Sequence, residues 1–140
     1  MVQRSLAQIL QEYDGRVKLV FKDLPLPSHR LARPAHEAAR CAGVAGKYWD
    51  YHDALFEAQP SFERDALIQY AAELGIDRDA FVRCLDGHRF ASAVDADVEQ
   101  ARALGVSGTP TFLINGQTLV GAQPIERFRA VIDEALARTR

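Results

Sequence analysis

Cysteine, histidine and serine are the side chains here that could do covalent or metal chemistry, and their spacing decides which chemistry stays open. Cys41 and Cys84 are the two cysteines of the 140-residue chain. So far apart, they form neither a zinc knuckle nor a redox Cys-x-x-C. Two readings remain: buried thiols that pack as small hydrophobes, or a structural disulfide between two helices. Such a bridge closes a loop of about 44 residues, worth roughly 4 kcal/mol in the chain-entropy model. Redox compartment decides whether it forms. His29, His36, His52 and His88 are the four histidines. A metal site needs ligands that converge at short spacings. His36 beside Glu37, and His52 beside Asp53, point apart on a helix. The histidines read as surface or capping residues, and no metal or cofactor is expected. A nucleophile pair of Cys41 with a histidine stays formally open, since spatial neighbours need not be close in sequence.

The most informative stretch is GVSGTPTFLIN, residues 105–115. Pro110 stands directly before the apolar run Thr111–Ile114. A proline cannot donate to a strand ladder, so it belongs at a strand's first residue or at an edge. An X-Pro bond at such a corner is a candidate for the cis isomer. Asn115-Gly116 then demands a tight turn, with Thr118–Val120 returning as the hairpin partner.

The elements that must position these residues follow from periodicity. Leu6, Ile9, Leu10 and Tyr13 share one face of an amphipathic helix over 3–13, ended by Asp14-Gly15. Val17–Phe21 is β-branched and apolar and reads as a buried strand, broken by the prolines of Asp23–Pro27. Pro34 opens an alanine-rich helix that carries Cys41. Tyr48–Phe56 follows at helical spacing, and its aromatics Tyr48, Trp49, Tyr51 and Phe56 read as core rather than as a cage. Asp65–Leu74 is a helix whose charged start, with Glu63 and Arg64, reads as solvated. Asp77 caps a short helix holding Phe81, Val82, Cys84 and Leu85. His88–Leu104 closes the helical group, and Pro124–Arg138 forms a last amphipathic helix. Helix, strand, several helices, two strands and a helix make an α/β pattern with a helical insertion.

Composition narrows the function classes. The 17 basic and 19 acidic residues nearly cancel, so no nucleic-acid footprint is present. No apolar run approaches the ~20 residues of a membrane span. The mixed polar and apolar residues Met1–Leu10 do not read as a signal peptide.

This order, with VKLVFKDLPL, HEAARCAGVAGKYWDYHDALF, LGIDRDAFVRCL and GVSGTPTFLING, resembles the DsbA-like branch of the thioredoxin superfamily almost end to end. The resemblance implies a thioredoxin-like fold with a helical insertion at 34–104, the thioredoxin-like part being 1–33 and 105–140. It implies protein thiol–disulfide exchange, a periplasmic or other extracytoplasmic location, and a cis-proline loop, Gly108, Thr109 and Pro110, that binds an extended polypeptide or thiol substrate. By the same resemblance Cys41 and Cys84 lie within the insertion.

The departure from the family pattern matters as much. Members begin with a central strand leading into Cys-x-x-C at a helix start, and neither has a counterpart here. The chain reads as an N-terminally truncated relative without the thiolate that attacks disulfides. The edges that the first central strand leaves open invite pairing with a second copy, a homodimer with shared or swapped strands through Val17–Phe21, Thr111–Ile114 or the helix 3–13. Two other readings stand beside the oxidoreductase: a non-catalytic thioredoxin-fold binding or assembly module, and a relative of the kappa-class glutathione transferases and isomerases. The last use a serine at the first helix start, whereas Ser5 falls within the helix.

Overall fold

Asn115 and Gly116 turn the chain through a two-residue hairpin. Both adopt positive φ, 49° and 88°, the pair of left-handed residues that a type I′ turn requires. The turn joins β1 (Thr111–Ile114) to β2 (Gln117–Val120) as an antiparallel pair with Ile114 opposite Gln117. A computed structural model describes residues 2–59 and 61–139. The remaining elements are helices: α1 (Val2–Glu12), α2 (Ala32–Val44), α3 (Tyr48–Ala58), α4 (Arg64–Glu73), α5 (Arg78–Asp86), α6 (Ala91–Ala103) and α7 (Ile125–Arg138).

The chain divides into two compact units, 1–22 with 105–140 and 23–104. In the first, α1, the hairpin and α7 share a core. Ile9, Tyr13, Leu119, Phe128 and Ile132 are buried together, with Phe112 and Ile114 packed against them. Period-2 alternation sends Phe112 and Leu119 inward and leaves Leu113 and Val120 outside. Phe112 meets Phe128 edge-on, ring centroids 4.8 Å apart, the arrangement aromatic quadrupoles prefer. Tyr13 donates its hydroxyl to Asp133 at 2.6 Å, and Arg129 pairs with Glu12. These bonds tie α1 to α7.

The expected strand at Val17–Phe21 is not one. Among the described residues the sheet has two strands, and this segment is in neither. Its burial still alternates, with Val17, Leu19 and Phe21 half-buried and Lys18, Val20 and Lys22 exposed. The pattern belongs to a strand, but a strand also needs a ladder, and the one ladder among the described residues joins β1 to β2.

The second unit is all helical. Its core is built from small residues on α2 (Ala35, Ala38, Ala39, Ala42), which let larger ones approach: Tyr51, Leu55, Leu67, Ile68, Phe81 and Leu85. Asp77 accepts the backbone N–H of Ala80 at 3.0 Å and caps α5 as its sequence requires. Three helices end the same way. Gly46 after α2, Gly75 after α4 and His88 after α5 hold positive φ. The N–H of the following residue reaches back to Ala42, Ala71 and Cys84 in turn. This is the Schellman geometry, where glycine is the usual left-handed residue.

Candidate functional site

Gly108, Thr109 and Pro110 sit at the mouth of β1, and the Thr109–Pro110 peptide bond is cis. Two hydrogen bonds fasten the loop. The Thr111 hydroxyl donates to the Gly108 carbonyl at 2.7 Å. The Gly121 N–H, just beyond β2, donates to the Pro110 carbonyl at 2.8 Å. Thr109 itself is exposed, and the hairpin ladder begins only at Thr111. A Cβ placed on Gly108 would meet nothing within 4 Å. The Gly108 and Pro110 carbonyls are thus taken within the hairpin, and Thr109 stands exposed between them, just outside the ladder.

Cys41 and Cys84 are joined in a disulfide, Cα atoms 5.9 Å apart. Both are buried, one in α2 and one in α5. The chain holds no other cysteine, so in this state it carries no thiol. Ser5, the other nucleophile considered, lies inside α1 rather than at its start.

The reading as surface or capping residues holds for His29 and for His88, which is exposed at the end of α5, but fails for His52 and in part for the half-buried His36. His52 is 4% exposed, with its Nδ1 3.2 Å from Asp53. Nδ1 of His36 lies 2.8 Å from the Asp23 carboxylate. Nδ1 of His88 lies 3.1 Å from Glu37, itself a buried carboxylate. His36 and Glu37 do point apart, each to its own partner, and His29 is exposed. No group of three His, Cys, Asp or Glu among the described residues could hold a metal. Reading the aromatics as core holds for Tyr51, fully buried and donating to the Leu67 carbonyl at 2.8 Å. Trp49 and Phe56, however, are 44% and 36% exposed, and their rings lie against that of buried His52. Likewise Arg64 is not merely solvated: it forms a two-pronged pair with Asp86.

Sequence reasoning missed a buried ionic cluster. Arg40 donates through Nε to Asp23 at 2.5 Å and through Nη2 to Asp97 at 2.8 Å. The Asp23 N–H donates to Asp97 at 2.9 Å. Burial pushes the Asp23 carboxyl up, but hydrogen bonds from His36 and Arg40 outweigh it and hold the group below its ordinary range. Arg40 is held above its ordinary value: burial opposes the shift, and the two carboxylates more than offset it. Burial raises the Tyr48 hydroxyl, with the Asp23 charge adding to it. The available signal was the spacing of His36 and Arg40, two potential cations four residues apart on one helix face.

Residues 1–134 match the model of a thioredoxin family. The chain belongs to that family. Within the thioredoxin fold it is a helix-rich member with a small sheet, and its solved likenesses are DsbA-like. The thiol–disulfide exchange protein α-DsbA2 of Wolbachia pipientis superimposes with a TM-score of 0.84 at 25% identity, over 96% of this chain and 73% of that one. A thioredoxin-like oxidoreductase of Silicibacter pomeroyi gives 0.83 at 25% identity, over 96% of this chain and 79% of that one. A sequence relative of a different kind is the Na(+)/H(+) antiporter NhaA 1 of Salinispora arenicola, 38% identical over 97% of this thioredoxin-family chain and 21% of the antiporter. The chain spans about a fifth of the length of the curated relatives it matches. No helix among the described residues is long and apolar enough to cross a membrane.

Proposed function

We propose that this chain is the substrate-positioning part of a DsbA-like thiol–disulfide oxidoreductase and does not itself exchange disulfides. One observation carries the reading: its two cysteines are bonded to each other and buried, so no thiolate is free to attack. Gly108, Thr109 and Pro110 take the extended polypeptide, whose backbone pairs at Thr109. The bridge suits an oxidising, extracytoplasmic compartment. The outer edge of β1 and the strand-like segment Val17–Phe21 receive backbone from another chain, a second copy in the isolated protein, and light scattering at micromolar concentration measures that association. Insulin reduction tests the central reading. The expected rate is that of glutathione alone, and turnover above it contradicts the reading.

A second reading rests on the antiporter relatives, which are more identical to this chain than the solved oxidoreductases are. In it, the same non-exchanging module works within or beside a membrane antiporter. Immunoblotting of native cells separates the two. A soluble band near 15.5 kDa supports the stand-alone reading. A membrane-bound band roughly five times larger supports the second, given the share of the antiporter that the chain covers.

A further inference from the structure

His88 occupies a position that two sister helices give to glycine. Gly46 and Gly75 hold φ of 75° at the ends of α2 and α4, and His88 holds 50° at the end of α5. A residue with a Cβ is disfavoured there, because its Cβ crowds the following carbonyl oxygen. The turn is otherwise ordinary: the His88 N–H reaches the Leu85 carbonyl and the Arg89 N–H reaches Cys84, both at 3.2 Å. What distinguishes His88 is its side chain, which lies against Glu37 at 3.1 Å. Glu37 is 3% exposed, and a carboxylate so placed is costly without a partner.

The register of this contact is regular. Glu37 and Cys41 stand four residues apart on α2, one turn along a single face. Cys84 and His88 stand four apart across the end of α5. Glu37 meets His88, and Cys41 meets Cys84. The two contacts are adjacent rungs of one antiparallel ladder between the same two segments. The cysteine rung is buried, so a reductant reaches it only when the segments part.

We infer that these rungs form a coupled redox latch, in which the Glu37–His88 contact protects the disulfide and the disulfide holds His88 in its left-handed turn. The opening reaction is exchange with a small thiol such as glutathione. Two thiols are oxidised to one disulfide, the Cys41–Cys84 S–S bond breaks, and each cysteine sulfur gains a proton and one of the two electrons. With the covalent rung gone, His88 leaves the turn and Glu37 loses its partner. Reduction thus reshapes the corner between α5 and α6 instead of merely loosening the core.

A glutathione redox equilibrium, read by thiol alkylation and mass, tests the coupling. Wild type is compared with His88→Ala, Glu37→Leu and the double variant. His88→Ala removes the ring but keeps a Cβ, and with it the same backbone cost in the left-handed turn. Coupling between sites commonly amounts to fivefold or more. Each single variant is therefore expected to shift the equilibrium toward the dithiol by at least about fivefold, and the double variant no further than either single. Singles within about twofold of wild type, or a double equal to the product of the singles, overturn the latch. Linkage is reciprocal, so wild type alone gives a second reading that needs no variant. The His88 ring resonances must shift when the disulfide is reduced, and unchanged resonances overturn the proposal.

Discussion

Asp23 donates its backbone N–H to the carboxylate of Asp97, 2.9 Å away across 74 positions of sequence. Both side chains are buried, and the Arg40 guanidinium bridges them. The first residue of the helical unit is thereby tied to α2 and α6. Two buried carboxylates around one guanidinium make a cluster that tolerates alteration poorly.

Arg40→Met removes that guanidinium and leaves both acids in a low-dielectric setting. Breaking a buried ion pair from one side costs about 3–5 kcal/mol. Urea unfolding of Arg40→Met should show a loss of that size, with the slope of the transition unchanged. A loss below about 1 kcal/mol would mean that solvent reaches the cluster and screens it.

Asp23 also sets an acid limb. Its carboxyl titrates below the ordinary range because the hydrogen bonds of His36 and Arg40 outweigh burial. A depressed carboxylate contributes stability that is complete above the unfolded value, about 3.9. That contribution is lost as pH falls through the lower folded value. Acid unfolding followed by circular dichroism from pH 6 to pH 2 should be shallower in Asp23→Asn, which should also be less stable at pH 7. Parallel acid curves for the two proteins would remove Asp23 from the acid transition.

Asp77 caps α5, the helix that carries Cys84, through the Ala80 N–H. Asp77→Ala should cost about 1 kcal/mol in thermal or urea unfolding, and Asp77→Ser should recover most of it. Equal losses in both variants would show that the cap contributes nothing.

Local signals in the sequence survived folding well. Asn115-Gly116 specified its turn, Asp77 its cap and Gly75 its helix end, because each acts through backbone geometry within a few residues. Periodicity found the helices, with ends displaced by a few residues; the helix expected from His88 begins only at Ala91. What failed was what needs a distant partner. Val17–Phe21 kept the alternation of a strand without the ladder, since alternation is local and pairing is not. Asp23, Arg40 and Asp97 look like ordinary surface charges until three segments converge. His88 looked like a helix start, whereas it holds the left-handed turn that ends α5, with its ring against buried Glu37.

Trapping of mixed disulfides tests the central claim most directly, that the chain offers a substrate surface without an exchanging thiol. The purified protein is incubated with a peptide carrying a strained disulfide, quenched with acid, alkylated and weighed. The account predicts unmodified protein with Cys41–Cys84 intact and no covalent adduct at any time point. A mixed disulfide between the peptide and Cys41 or Cys84, formed in unreduced protein, would contradict it.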